Sequence, residues 1–196
     1  MNEGMVKFYL TRHGQTTLNS VGRLQGGMDS PLTEHGRAQA RRVAEKLTAI
    51  INTNPVQLSV SPLGRAQETA SIFKQHLNVA AIETDERLAE IGIGDWEGMT
   101  MEDIEFTHPG ALDGSGRFDW AYRAPGGEPK DAFLSRIRDW LADAESARMT
   151  IIAVSHGWSG MGIRSLYAAQ PFEKVTAKGD SHEAVFEFSD GHVREF

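Results

Sequence analysis

The sequence predicts an α/β fold built on a largely parallel central sheet. Short runs of strand-forming residues alternate along the chain with longer stretches of helical periodicity, as in strand–helix–strand units. Met149 to Val154 is almost continuously apolar, which suits a central strand covered on both faces. The tail alternates from Glu183 to Phe188, turns at Asp190-Gly191 and closes with a short strand, adding one antiparallel strand at an edge.

Each element has its own signal. Val6-Lys7-Phe8-Tyr9-Leu10 is the first strand, followed by a polar stretch from Thr11 to Ser30. Thr33 is the N-cap of a helix from Glu34 to Ile51, whose apolar residues Ala40, Val43, Ala44, Leu47, Ile50 and Ile51 recur every three or four positions. Val56 to Val60 alternates as a strand and ends before Pro62; a helix follows from Gly64 to Leu77, then a strand from Val79 to Glu83. Residues 85–127 are irregular and glycine-rich, with one helical candidate from Met101 to Phe106. They read as an insertion over one edge of the core, so that residues 1–196 form one domain. A long helix from Asp131 to Ser146 buries Phe133, Ile137, Trp140, Leu141 and Ala144, and another covers Gly157 to Ala169.

Composition narrows the chemistry. The 196 residues carry 20 Lys+Arg against 27 Asp+Glu, a formal net charge of −7, with seven histidines and no cysteine. An acidic chain argues against general nucleic-acid binding, which favours clustered basic faces. No apolar run is long enough for a membrane span, so no membrane partner is expected. The N-terminus lacks the layout of a signal peptide, and a reducing cytoplasm is the expected compartment. Without cysteine, thiolate nucleophiles and thiolate metal sites are ruled out. Nothing in the pattern speaks to oligomeric state.

Three strands end in polar residues of one character. Thr11-Arg12-His13-Gly14 follows the first, Ser61-Pro62-Leu63-Gly64-Arg65 the second, and Ser155-His156-Gly157 the apolar run ending at Val154. Ligands of open α/β sheets sit beyond the carboxyl ends of the strands, where parallel neighbours would bring two arginines and two histidines together. Such a cluster in an acidic chain points to a dianion, most simply a phosphoryl group. Arginine offers a permanently charged planar fork to phosphoryl oxygens, and neutral imidazole is a competent nucleophile that nearby arginines keep unprotonated. The leaving oxygen needs a proton. Glu90 follows the third strand and is the candidate acid, its carboxyl pKa raised beside a dianion; Glu86 and Glu97 compete for the role.

Arg12-His13-Gly14-Gln15-Thr16, with Asn19 beyond it, resembles the Arg-His-Gly-Glu-Thr signature of the histidine phosphatase superfamily, in its phosphoglycerate-mutase-like branch. The resemblance continues through Arg23-Leu24-Gln25-Gly26, Asp29 to Thr33 with Gly36, and Ser61-Pro62 with Arg65-Ala66 and Glu68-Thr69-Ala70. Glu90, Gly94 to Gly98, Gly126-Gly127-Glu128 and Ser155-His156-Gly157 complete it. It implies a three-layer α/β/α sandwich, phosphorylation of His13, a phosphate pocket of Arg12, Arg65 and His156, and Glu90 as proton donor. Asn19, Gln25, Gly26 and Gly157 would complete the substrate-binding rim. No metal and no cofactor are implied, and the substrate would be a small phosphorylated metabolite.

Gln15 replaces the usual acidic residue, and Trp158 stands where glycolytic mutases carry asparagine. The stretch between Glu90 and His156 is short for those mutases, which favours a phosphatase of broad-specificity type over mutase transfer. A non-catalytic binder of phosphorylated ligands is the third reading, disfavoured by the presence of both His13 and Glu90. His182 either lines the pocket or lies on the surface at a strand start, and Arg123 is a candidate for the distal end of the substrate. Trp96, Trp120 and Tyr122 are expected to pack, while His35, His76, His108 and His192, with Arg37, Arg41 and Arg42, are expected in solvent.

Overall fold

The computed structural model describes residues 8–115, 119–175 and 181–196. Six strands form one sheet: β1 (Phe8–Arg12), β2 (Val56–Val60), β3 (Val79–Thr84), β4 (Thr150–Ser155), β5 (Val185–Ser189) and β6 (His192–Glu195). Their spatial order is β3-β2-β4-β1-β5-β6. β3, β2, β4 and β1 pair in parallel, β5 pairs antiparallel with both β1 and β6, and the antiparallel strand is therefore one position in from the edge. Val6 and Lys7 of the expected first strand lie outside the described residues.

The helices are α1 (Thr17–Ser20), α2 (Glu34–Ile51), α3 (Gly64–Phe73), α4 (Met101–Thr107), α5 (Lys130–Ser146), α6 (Gly157–Tyr167) and α7 (Phe172–Val175). α2 has the expected bounds, with the Thr33 hydroxyl accepting from Gly36 N at its start. α3 ends earlier than expected because its last residues tighten into turns, with Gln75 N donating to Ile72 O and His76 N to Phe73 O. The expected strand from Glu183 starts at Val185, since Ser181 to Ala184 is closed into a turn by hydrogen bonds to Ser181. α1 and α7 are one-turn helices without a long apolar period, and the sequence pattern misses both.

Strand alternation divides the core. Phe8 and Leu10, with Ile151 and Ala153, face α5 and α6; Tyr9, with Ile152 and Val154, faces α2 and α3. Trp140 packs edge-on against Phe8 and donates its indole N–H to Ser59 Oγ at 3.2 Å, satisfying a polar group that burial would otherwise penalise. The irregular stretch joins the first of these layers, where Leu88, Ile91, Ile93, Trp96, Ile104, Ala121 and Ala124 are buried with Phe133 and Ile137. Burying a side chain of this kind stabilises by about 1.5–3 kcal/mol, which holds a segment with little regular hydrogen bonding in place. His108 is half-buried, its ring edge-on to Trp96 at 6.2 Å, and is not in open solvent.

The chain leaves β1 toward one face and the adjacent β4 toward the other. That divergence opens a crevice at their carboxyl ends.

Candidate active site

The crevice holds the polar residues of three strand ends. His13 N donates to Ser155 O and Ser61 N to Val154 O, each at 3.0 Å, so these loops extend the sheet pairing by one residue. Gly14 follows His13 because α2 lies against it: a Cβ there would stand 2.3 Å from Gly36 O. A Cβ on Gly36 would in turn stand 2.0 Å from Gln15 O.

Arg65 organises the centre. It is 1% exposed, and its Nε donates to both His13 Nε2 (3.3 Å) and His156 Nδ1 (3.2 Å). Its other nitrogens donate to Met28 O (2.8 Å), Gly26 O (2.9 Å) and Asp29 Oδ1 (3.3 Å). Burial lowers its pKa, with Glu90 and Asp29 opposing, yet guanidinium starts high enough to stay charged. Asp29 also accepts from the N–H groups of Gly64 and Arg65 at the start of α3.

Both imidazoles are held neutral. Burial first, then the neighbouring positive groups, pushes the pKa of His13 and of His156 well below its ordinary value. The tautomers follow from the partners. His13 Nδ1 faces Gly14 O at 2.8 Å, so Nδ1 carries the proton and Nε2 presents a lone pair. His156 accepts at Nδ1 and donates from Nε2 to Ser61 Oγ at 2.6 Å. The two rings are 5.1 Å apart.

Glu90 sits at the N-terminus of α6. Its Oε1 accepts from Ile91 N, Ser159 N and Ser159 Oγ, while Oε2 accepts from Trp158 N at 3.1 Å. Gly157 lies close to both this carboxylate and Arg12: a Cβ there would stand 3.7 Å from Oε2 and 3.5 Å from the Arg12 Cζ. Glu97, a rival for the acid role, instead accepts from Gly27 N at 2.7 Å and buttresses the rim where Gly26 turns with φ +54°. Glu86 is exposed in a 3-10 turn (Glu86–Leu88) and does not line the cleft.

A cleft of about 410 Å³ opens over these groups. Arg12, His13, Asn19, Gln25, Gly26, Arg65, Glu90 and Gly157 all line it, and His156 stands behind Arg65. The rest of its wall is mostly apolar: Leu24, Ile91, Ile93, Met101, Trp120, Trp158 and Met161, with Arg23 at the mouth. Trp158 meets Trp120 edge-on at 5.5 Å and Tyr122 at 5.6 Å. Arg123 does not reach the cleft; it donates to the carbonyls of Ala111 and Asp113 and braces the irregular segment. His182 is not among the residues that line the cleft but stands beside the site, its Nδ1 2.6 Å from His13 O. Gln15, in place of an acid, accepts from the Thr33 hydroxyl at 3.0 Å.

Ser61, Thr69, Asp29 and Ser159 act around the site, and residue types alone do not assign them there. Ser61, Thr69 and Asp29 stand inside the motif blocks of the sequence, whereas Ser159 has no signal beyond its place after His156-Gly157. No cluster of three or more His, Asp or Glu side chains spaced to hold a metal ion occurs among the described residues, and no described helix is long and apolar enough to cross a membrane.

An α/β fold that gathers a buried and a half-buried arginine with neutral histidines at its strand ends defines a phosphoryl-binding enzyme. Residues 8–176 match the family model described as histidine phosphatase superfamily (branch 1), and the chain belongs to that family. It is 29% identical over 196 residues to a glucosyl-3-phosphoglycerate phosphatase of Mycobacterium tuberculosis, covering 95% of this chain and 86% of the relative. It is 30% identical over 167 residues to phosphoserine phosphatase 1 of Hydrogenobacter thermophilus, covering 84% and 76%. Among solved structures, YhfR of Bacillus stearothermophilus superposes with a TM-score of 0.77 at 31% identity, covering 96% of this chain and 94% of that one. The three-layer α/β fold and a phosphatase activity follow from this membership.

Proposed function

We propose that this phosphatase hydrolyses small phosphomonoesters in two steps through a phosphohistidine on His13. The observation that carries the reading is the tautomer of His13: with Nδ1–H committed to Gly14 O, the Nε2 lone pair lies at the floor of the cleft beside Arg65. Nε2 attacks phosphorus in line, the P–O ester bond breaks, and Glu90, protonated on Oε2, passes its proton to the departing alkoxide. Arg12 and Arg65 carry the charge spread over the equatorial oxygens, and His156 keeps Arg65 aligned. Water then attacks the phosphohistidine, the N–P bond breaks, and Glu90 takes the proton from water. Ester and water become alcohol and inorganic phosphate.

Neutrality of His13 is central, because a protonated ring has no lone pair for phosphorus. Burial and flanking cations supply that neutrality without any separate base. Asn19 and Gln25 border the phosphate, with Gln25 seated by accepting from the Ser30 hydroxyl at 3.0 Å. Mutase transfer would use the same residues and differ only in the acceptor. Quenching turnover of labelled substrate in alkaline denaturant, which preserves a phosphohistidine, tests the reading. Wild type is expected to carry an acid-labile label that His13→Ala lacks, with free phosphate as product. A label that survives His13→Ala overturns it, and product isomerisation without phosphate release replaces hydrolysis by transfer.

A further inference from the structure

We propose that His182 is a positioning residue for the nucleophile: together with Thr69 it locks the His13–Gly14 peptide plane, and so keeps the His13 side chain in the tautomer that attacks phosphorus. The proposal rests on the reading of His13 as the phosphorylated residue.

The pairing of β1 with β5 ends at Thr11 and Val185, so the carbonyl of His13 lies beyond the last ladder bond. His182 Nδ1 takes over and donates to that oxygen at 2.6 Å. The N–H of the same peptide unit, on Gly14, donates to Thr69 Oγ1 at 3.1 Å. Thr69 has already committed its own hydroxyl proton to Arg65 O at 2.8 Å, which fixes Oγ1 as the acceptor. Both polar ends of one planar unit are thus held by side chains from two different elements, and a planar peptide fixed at both ends has a fixed orientation.

Gly14 makes this lock necessary. It must be glycine because α2 packs on it, and glycine has the least conformational preference of its own. Its carbonyl is the acceptor for His13 Nδ1–H and sits in a peptide unit held separately by Gln15 N donating to Gln39 Oε1 at 2.9 Å, so a turn of the preceding peptide shifts the ring relative to that fixed acceptor. Without it, only the long 3.3 Å contact from Arg65 Nε, shared with His156, still favours the proton on Nδ1 over Nε2, and a proton on Nε2 blocks the attacking lone pair.

His182 is itself seated for the task. Burial, reinforced by Arg12, brings its pKa down to about 4, so at neutral pH it donates from Nδ1 without adding a charge beside the arginines. Its ring flanks that of His13 at 5.5 Å. The next residue, Glu183, is tied to α2 by two hydrogen bonds from Arg42 and by Lys46 Nζ on its carbonyl.

The test uses the full-length enzyme with p-nitrophenyl phosphate in a quenched-flow burst, inorganic phosphate titration, and nitrogen NMR of histidine-labelled protein. His182→Ala is expected to slow phosphoenzyme formation by about 10- to 100-fold, with phosphate affinity changed by less than about threefold, as for a misplaced reacting group. Its His13 ring signals are expected to move from a single Nδ1–H tautomer toward a mixture. His182→Asn keeps an N–H donor near the Nδ1 position and is expected to recover most of the rate. Thr69→Val removes the other anchor and reads the same plane if His182→Ala does not fold. Wild type that labels while His182→Ala labels equally fast with an unshifted tautomer overturns this proposal alone. Wild type that never labels overturns the role of His13, and this proposal with it.

Discussion

The two ends of the cleft are built by different means. At the phosphate end, residues from the ends of β1, β2 and β4 are pinned by the sheet and by one another, with Arg65 alone making five side-chain hydrogen bonds. At the leaving-group end, Ile93, Met101 and Trp120 from the irregular segment share an apolar wall with Trp158 and Met161 from α6, and Trp120 meets Trp158 edge-on. The contrast teaches a division of labour. Group transfer needs donors held to fractions of an ångström and takes them from rigid elements, while the part of the substrate that varies is met by loops and adaptable surfaces.

The largest expected effect lies at the first end. His13→Ala removes the attacking atom and is expected to lower kcat by about 10^4-fold or more, as loss of a nucleophile does elsewhere; a steady-state assay of phosphate release checks this. Next comes Glu90→Gln, which keeps one acceptor oxygen for the N–H groups of α6, loses the other and cannot supply a proton. It is expected to cost about 10^2- to 10^4-fold on alkyl phosphates, and distinctly less on p-nitrophenyl phosphate, whose leaving group needs no proton. Equal losses on both substrates would remove Glu90 from the acid role.

The leaving-group end should respond more mildly and in a different parameter. Trp158→Ala or Trp120→Ala removes apolar contact made alike in ground and transition states, so KM for aryl phosphates is expected to rise about tenfold with kcat nearly retained. A fall in kcat instead would mean that the wall positions the reacting atoms.

The smallest effect separates the ends by pH. His13, His156 and His182 all have lowered pKa values in the folded chain, so in acid the unfolded chain binds more protons than the native one. Stability is therefore expected to be level above about pH 6.5 and to fall as pH drops from there toward 4. Melting temperatures across that range measure it. His182→Asn should flatten the slope, whereas Trp120→Ala, at the apolar end, should lower the curve without changing its steepness.

The same contrast decides what the sequence reveals. Apolar periodicity places α2 and β4 with little error because burial on one or both faces leaves a regular pattern. Arg12, His13, Arg65 and His156 are legible because each ends or follows a strand, and strands of a parallel sheet end on one side. The wall of the leaving-group end has no such regularity. Met101, Trp120 and Trp158 come together only because the irregular segment buries Trp96 and Ile104 and folds back over the sheet. His182 is only half legible, a pocket or a surface histidine by sequence, because its hydrogen bond reaches a carbonyl 169 positions away and a backbone acceptor leaves no mark on the residue sequence.

The central pairing of β1 with β4 has a consequence for how activity is acquired. Thr11 and Ala153, linked across that pair, are 142 residues apart, so joining them closes a very long loop. The neighbouring unit of β2, α3 and β3 needs only short-range closure and can organise first. His13 and His156 meet only when the long closure is complete. During refolding from denaturant, helical signal should accordingly return ahead of turnover, and a nascent chain remains catalytically silent until its last third has emerged.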